Sequence, residues 1–207
     1  MRANYKIKFL YRFKKMNCTI KGVISYELLD KLYIIYKEHT QNIEYEQVVR
    51  EITDVSTIPE LRKLLPTFLK IAKKHIPIDD LHIGKGYGTC VFVNAPPSET
   101  TNQKWHRDSE FESYGIYIPL IDINKQNGCM QVISESIFIK PKAWRKKSKD
   151  ILDVTLSRGD ICIFDGRLLH RGLANKSPED RPVLICSVTS KNIEYFQESE
   201  IESATNL

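Results

Sequence analysis

Long apolar runs are missing from this sequence. The chain of 207 residues has no apolar stretch close to the roughly 20 residues that a membrane-spanning helix needs. Residues 1–17 alternate basic and apolar side chains and lack the continuous apolar core of a secretion signal. We therefore expect a cytoplasmic protein that has no membrane span.

Closely spaced cysteines are missing as well. The five cysteines are odd in number, lie far apart in the sequence and include no Cys-x-x-Cys pair. Several of them lie inside apolar runs. This pattern is typical of small buried side chains in a reducing compartment.

Internal repeats, linkers and low-complexity segments are also absent, and this absence favours a single domain. Hydrophobic residues make up 42% of the chain and charged residues 28%, which are ordinary values for a globular protein. We expect one domain over residues 1–207, with a helical flank at 1–80, a strand-rich core at 81–192 and a tail at 193–207.

Two segments of the flank have the apolar spacing of amphipathic helices. Ser25 can cap a helix that runs to about His39. Pro59 suits the first position of a second helix that ends near His75. The apolar stripes of both helices are expected to pack against a sheet.

Beyond residue 83 the apolar runs become short and alternate with polar turns. Asn127-Gly128 is a strong signal for a two-residue hairpin. Many short strands behind two helices predict a mainly β (α+β) fold with flanking helices, of the double-stranded β-helix type (a cupin-like jelly roll). The predicted strands are 87–94, 114–123, 129–133, 153–156, 160–164 and 183–190.

Candidate metal ligands lie in two separate segments. Side chains at i and i+2 of an extended chain point to the same side, so His106 and Asp108 can meet one metal ion. His170 follows a strand-like run. The turn-rich stretch after it predicts a hairpin-like reversal that returns Arg181 to the same barrel interior.

These four residue types suit a non-haem iron oxygenase. Two imidazoles and one carboxylate on one face of a ferrous ion leave its other positions open for a chelating co-substrate and dioxygen. The planar guanidinium of Arg181 can bind a carboxylate with two parallel hydrogen bonds. A 2-oxoacid that also ends in a carboxylate would use all four residues.

Simpler explanations exist for each residue by itself. His106 and Asp108 can form an ordinary surface pair, His170 can be a hydrogen-bonded core histidine, and Arg181 can cap a turn with Asp180. Two alternative functions also remain open, namely a cupin-like metal-binding protein without oxygenase activity and a catalytically idle binding module. An arginine directed into the barrel argues against both.

The order of these elements resembles the phytanoyl-CoA dioxygenase family of Fe(II)/2-oxoglutarate-dependent oxygenases over about half of the chain. Tyr117 falls where that family places an aromatic residue beside the co-substrate. Asn94 belongs to a strand similar to the one that precedes the family's first metal motif. The matching elements are Val93–Pro97, Trp105–Asp108, Asn127–Ile133, Arg158–Asp160, Phe164–His170, Asn175 and Arg181-Pro182.

The resemblance implies a dioxygenase that uses Fe(II), 2-oxoglutarate and O2 and releases succinate and carbon dioxide. It implies that iron is held by His106, Asp108 and His170. It further implies that Arg181 binds the distal carboxylate of 2-oxoglutarate, with Tyr117 and Asn94 nearby. Relatives usually have Pro-Gly-Ser-His-Lys where this chain has Ser134–Phe138. That loop borders the substrate in the family, so the departure concerns the substrate and not the metal.

The net charge of +5 is concentrated in two basic clusters, Lys6–Lys15 and Lys140–Lys149. The simpler interpretation is two solvated faces. Alternatively, the second cluster, which follows the substrate-side loop, attracts an anionic small molecule. Nucleic acid is not the expected partner, because aromatic residues other than Trp144 are not interleaved with this cluster.

Overall fold

The computed structural model describes residues 18–40, 51–54, 57–76, 81–83, 90–97, 101–134, 136 and 151–189. In these parts the chain forms two helices, α1 (Tyr26–Thr40) and α2 (Pro59–His75). It also forms ten strands: β1 (Cys18–Ile20), β2 (Glu51–Asp54), β3 (His82–Ile83), β4 (Cys90–Ala95), β5 (Ser113–Pro119), β6 (Met130–Ile133), β7 (Ile151–Val154), β8 (Ile161–Asp165), β9 (His170–Gly172) and β10 (Arg181–Thr189).

The strands form a large and a small antiparallel sheet. The large sheet has the order β1-β8-β5-β10-β4-β2, with β3 also paired to β10, and the small sheet has the order β7-β6-β9. Strands that are neighbours in space are mostly far apart in sequence, as the crossing connections of a jelly roll require. The predicted jelly-roll fold with flanking helices is confirmed.

Both predicted helices are present, and both pack on the outer face of the large sheet. The Ser25 hydroxyl accepts a hydrogen bond from the Leu28 backbone N–H at 3.3 Å, which is the expected cap of α1. Pro59 begins α2, where its missing N–H costs nothing. The ring of Tyr36 on α1 meets that of Phe92 on β4 edge to face at 5.5 Å. No helix in the described parts is both long and apolar enough to cross a membrane.

A second apolar core lies between the two sheets, and period-two alternation decides which residues enter it. On β10, Leu184 packs with the helices, whereas Val183 packs with the second core. Arg181 shares the parity of Val183, so its side chain enters the space between the sheets. Tyr117 on β5 enters the same core. Four cysteines are buried, as expected: Cys90, Cys129, Cys162 and Cys186.

The predicted Asn127-Gly128 hairpin is wrong. The strands on either side, β5 and β6, belong to different sheets and do not pair. The Asn127 side chain instead holds a wider turn, in which its Oδ1 accepts from the Asn124 backbone N–H at 2.8 Å. Gly128 has a φ of +87°, and a Cβ on it would lie 2.5 Å from the Leu173 carbonyl oxygen. The dipeptide therefore indicates a left-handed glycine and a close approach, but not strand pairing.

The expected hairpin-like reversal after His170 also needs correction. β9 pairs with β6 in the small sheet, whereas β10 lies in the large sheet, so the connection between β9 and β10 crosses from one sheet to the other.

The predicted helical flank also contributes two strands, because β1 pairs with β8 and β2 pairs with β4. The tail at 193–207 lies outside the described residues.

Candidate metal and co-substrate site

His106 and His170 come together through a backbone bridge. The His106 N–H donates to the His170 carbonyl oxygen and the His170 N–H donates to the His106 carbonyl oxygen, both at 3.0 Å. Residues paired in this way carry their side chains on the same face. The two imidazole rings lie 4.4 Å apart between centroids.

Asp108 joins the two histidines, as expected from its i+2 spacing to His106. Its backbone N–H donates to the Gly166 carbonyl oxygen at 2.9 Å, which fixes the chain beside the end of β8. Its Oδ1 lies 3.3 Å from His170 Nε2 and 3.6 Å from His106 Nε2. The three ligand atoms lie within 4.8 Å of one another.

This geometry fits a small divalent ion. Ligand atoms at about 2.1 Å from a metal and at right angles to each other are about 3 Å apart. The distances from the Asp108 carboxylate to the two imidazoles are close to that value. Two nitrogens and one carboxylate oxygen are also the donor set of non-haem iron sites, in which one face of the metal stays open.

Hydrogen bonds to the backbone set the tautomers of both histidines. His106 Nδ1 lies 2.8 Å from the Lys104 carbonyl oxygen, and His170 Nδ1 lies 2.9 Å from the Leu168 carbonyl oxygen. A carbonyl oxygen can only accept, so each Nδ1 carries the proton and donates it. Nε2 is then the ring nitrogen of each histidine that is left to bind a metal, as in metal-binding histidines.

The electrostatics of the cluster favour a cation. Partial desolvation would raise the pKa of Asp108, but the charge and hydrogen bond of His170 and the charge of His106 outweigh it and hold this pKa below its usual value. Burial by itself would lower the pKa of His170, and the Asp108 carboxylate reverses that effect and raises it. The side chains of His106 and Asp108 are 39% and 44% exposed, so the cluster opens to solvent on one side.

Arg181 lies at the opposite extreme of exposure. Its side chain is fully buried at the start of β10. Nη1 donates to the Tyr117 hydroxyl oxygen at 2.7 Å, whereas Nε and Nη2 have no hydrogen-bond partner among the described residues. A buried guanidinium without a carboxylate is costly, and two adjacent orphaned N–H groups match the two oxygens of a carboxylate. The residue therefore fits the distal carboxylate of 2-oxoglutarate.

Asn94 and Asn175 lie close to Arg181 in the fold. The Asn94 amide donates to Asp180 Oδ1 at 2.9 Å, next to the first residue of β10. The Asn175 amide donates to the carbonyl oxygens of Ala95 and Glu179 at 2.9 and 2.7 Å. Both asparagines thus hold the chain that leads into Arg181.

Sequence reasoning assigned no role to the residues next to the ligands. Arg107 Nε donates to the Arg167 carbonyl oxygen at 2.7 Å, and its Nη2 donates to the Ser136 carbonyl oxygen at 2.6 Å. The Arg171 guanidinium lies 4.6 Å from the centre of the Trp105 ring. The alternation of side chains along an extended chain is the signal that could have identified them. A direct neighbour of a ligand points away from the metal and can therefore hold the segment from the other side.

One residue of the loop 134–138 is held against the segment that leads into His170. Ser136, in the loop that departs from the family pattern, is buried, and its hydroxyl accepts from the Leu169 backbone N–H at 2.7 Å. The two basic clusters, Lys6–Lys15 and Lys140–Lys149, lie outside the described residues.

Comparisons with known proteins agree with the fold and with the donor set. The family model for phytanoyl-CoA dioxygenase (PhyH) matches residues 30–183, well over half of the chain. No curated protein matches the sequence at a significant level.

Several solved structures have the same fold. The non-heme alpha ketoglutarate dependent carbocyclase SnoK from nogalamycin biosynthesis has a TM-score of 0.73 at 17% identity, over 86% of this chain and 81% of that chain. The epimerase SnoN, in complex with Fe3+, alpha ketoglutarate and nogalamycin RO, has a TM-score of 0.69 at 16% identity, over 87% and 83%. EctD from S. alaskensis, in its apoform, has a TM-score of 0.67 at 14% identity, over 84% and 72%. At such low identity the likeness establishes the fold.

Proposed function

The chain belongs to the phytanoyl-CoA dioxygenase family of Fe(II)/2-oxoglutarate-dependent oxygenases, and we propose that it hydroxylates, or otherwise oxidises, a small molecule. Its cofactors are Fe(II), 2-oxoglutarate and O2. Bound ferrous iron supplies the oxidative decarboxylation of 2-oxoglutarate to succinate and carbon dioxide, together with the oxidising power for an unactivated C–H bond. The protein supplies binding, orientation and exclusion of water.

In this proposal His106, Asp108 and His170 are the iron ligands. The close grouping of their ligand atoms, the donor set and the two Nδ1 hydrogen bonds all support the assignment. The open side of the cluster leaves room for two further molecules, as the reaction of a co-substrate with dioxygen requires.

The fully buried Arg181 carries the proposal. We assign its Nε and Nη2 to the distal carboxylate of 2-oxoglutarate, while the Tyr117 hydroxyl holds Nη1. In a cupin-like protein that only binds metal, or in an idle binding module, this buried cation would destabilise the fold and would have no ligand to bind. We assign Asn94 to the same subsite, where it anchors Asp180, the residue before the arginine.

Similar folds catalyse different reactions, so the outcome of oxidation is a separate part of the proposal. Among the similar structures, SnoN is an epimerase and SnoK a carbocyclase. For this chain we propose hydroxylation in the cytoplasm, of an anionic small molecule if the cluster Lys140–Lys149 borders the substrate. Mass spectrometry of the product separates the outcomes: hydroxylation adds one oxygen atom, ring closure removes two hydrogens, and epimerisation leaves the mass unchanged.

The experiment that tests the proposal has two steps. First, Fe(II) with 2-oxoglutarate, without O2, should raise the melting temperature, because a ligand that binds only the folded state stabilises it. Second, candidate metabolites are screened for stimulated succinate release in air. The Arg181→Ala variant, which keeps the proposed iron ligands, is the control. A wild type that shows no stabilisation and no succinate release would contradict the proposal.

A further inference from the structure

One tight turn between β8 and β9 is hydrogen-bonded to the backbone or side chain of two of the proposed ligands. We call this turn, Asp165–Leu169, the anchor turn. Its Gly166 carbonyl oxygen accepts the backbone N–H of Asp108 at 2.9 Å. Its Leu168 carbonyl oxygen accepts the Nδ1 proton of His170 at 2.9 Å. The anchor turn thus orients one carboxylate ligand and one imidazole ligand.

The anchor turn also holds the segment that carries the third ligand. Its Arg167 carbonyl oxygen accepts from Arg107 Nε at 2.7 Å, and Arg107 lies between His106 and Asp108. The turn runs directly into His170, whose backbone is bridged to His106. A displacement of the turn would therefore move all three ligands.

An ion pair between the buried Asp165 carboxylate and the partly exposed Arg167 guanidinium sets the conformation of the anchor turn. Asp165 is only 2% exposed. Its Oδ1 accepts from both the backbone N–H and the Nε of Arg167 at 2.9 Å, and its Oδ2 accepts from Nη2 at 2.6 Å. The Leu168 N–H donates to the Asp165 carbonyl oxygen at 3.0 Å and closes the turn. Such a two-point arginine–carboxylate contact is stronger and more directional than a single hydrogen bond.

The anchor turn packs closely against the segment His106–Asp108, so a shift of the turn would shift that segment. A Cβ on Gly166 would lie 2.7 Å from Ser113 Oγ and 3.6 Å from the Cβ of Asp108. No side chain fits at Gly166, so the anchor turn packs directly against Ser113 and the segment His106–Asp108.

We propose that Asp165 and Arg167 are positioning residues, which hold the anchor turn and thereby place Asp108 and His170 for metal binding. Neither is among the side chains that offer a ligand atom. The inference rests on the proposed function of the triad as the metal site. It adds that the affinity and geometry of this site depend on an ion pair outside it.

The test compares two buried aspartates, each of which holds a turn. In Asp165→Asn the charge is lost while the shape is kept. The matched control is Asp160→Asn. Asp160 is 7% exposed and accepts from the backbone N–H groups of Gly22 and Ser157 at 3.0 and 3.1 Å, but it has no bond to the anchor turn. Co(II), whose visible absorption depends on ligand geometry, is the probe of the intact protein.

We expect Asp165→Asn to weaken Co(II) binding by about tenfold, the lower end of the effect of losing a direct hydrogen-bonding partner of a metal ligand, because Asp165 acts through the turn. The visible absorption of the bound Co(II) should change as well. Asp160→Asn should lower the melting temperature but leave affinity and absorption as in the wild type. Arg167→Lys should give an intermediate loss, because an ammonium reaches one carboxylate oxygen but cannot form the fork.

The ion pair should also behave as one unit. The single variants Asp165→Asn and Arg167→Ala each break the ion pair. The double variant should bind Co(II) no more weakly than the weaker-binding of the two, because the second change removes no further contact of the pair. If Asp165→Asn does not fold, Arg167→Lys carries the same comparison with Asp160→Asn.

Unchanged Co(II) affinity in folded Asp165→Asn, or an equal loss in Asp160→Asn, would overturn the inference. Additive losses in the double variant would do the same. Wild-type protein that binds no Co(II) in stoichiometric amount would instead contradict the proposed metal site itself, so the two failures are distinguishable.

Discussion

The metal half of the site and the arginine half are held in opposite ways. In the metal half, the backbone accepts the Nδ1 proton of both histidines and holds Asp108 through its N–H. In the arginine half, the described residues satisfy Nη1 of Arg181 and leave Nε and Nη2 without a partner. The first half is half-exposed and arranged before anything binds. The second is buried and keeps two donors without a partner among the described residues.

This difference shows how the fold divides the work of binding. The proposed metal ligands are already oriented by hydrogen bonds within the protein, so metal binding there should cost little reorganisation. Arg181 retains an unsatisfied charge, and only an anion that fits its fork can relieve it. The arginine half should therefore give specificity for a carboxylate, while the metal half gives geometry.

The largest expected effect is on the metal half. His170→Ala removes one of three ligands, so metal affinity should fall by more than the roughly 10–100-fold that loss of an outer partner costs. Co(II) titration measures this. His39→Ala, which changes an exposed histidine in the last turn of α1, should bind Co(II) like the wild type. Equal binding by His170→Ala would remove the histidine from the site.

The next effect separates the two halves. Arg181→Ala should raise the Michaelis constant for 2-oxoglutarate by an amount equivalent to about 2–5 kcal/mol, while Co(II) affinity stays near that of the wild type. Arg181→Lys should be damaging too, because an ammonium lacks the planar fork. Arg158→Ala, which changes an arginine that is paired with Asp30 on α1, is the control. Wild-type 2-oxoglutarate kinetics in Arg181→Ala would make the arginine structural.

Local sequence rules predicted that His106, Asp108 and His170 come together, and their ligand atoms do lie within 4.8 Å of one another. The i+2 spacing of His106 and Asp108 and the strand that precedes His170 were the signals for this grouping. Asn127-Gly128 shows the limit of such rules. The glycine has a positive φ, which suits a tight turn, but pairing between strands depends on distant partners, and the strands on either side lie in different sheets.

The arginine half and the anchor turn depend on longer-range structure. Spacing indicated that Arg181 enters the barrel, but its complete burial follows from its register with Ala95 on β4 and from the core around Val183. The pair Asp165 and Arg167, two residues apart, looks like an ordinary exposed pair in the sequence. Only the turn between β8 and β9 buries the Asp165 carboxylate against the Arg167 guanidinium, which stays 30% exposed.

A smaller effect tests the single hydrogen bond that the protein gives to the arginine. Tyr117→Phe removes the acceptor of Nη1, so Arg181 should be oriented less well. A hydrogen bond to a charged group contributes about 1.5–3 kcal/mol, which predicts a rise of roughly tenfold or more in the Michaelis constant for 2-oxoglutarate. Tyr114→Phe, which loses a hydrogen bond to Glu112 instead, should leave that constant unchanged. An equal rise in both variants would point to general loosening of β5.

The smallest effect, of about 1–3 kcal/mol, concerns stability and should reverse in sign when ligand is added. Arg181→Met replaces a buried, partly unsatisfied cation by an apolar side chain of similar length, so the ligand-free variant should be more stable than the wild type. Urea unfolding measures this difference. With Fe(II) present in both proteins, 2-oxoglutarate at about 100 times its dissociation constant for the wild type should stabilise the wild type by about 2.7 kcal/mol, whereas it should stabilise the variant little. A variant that is less stable in both states would show that the described protein already compensates Arg181, and the contrast between the two halves would not hold.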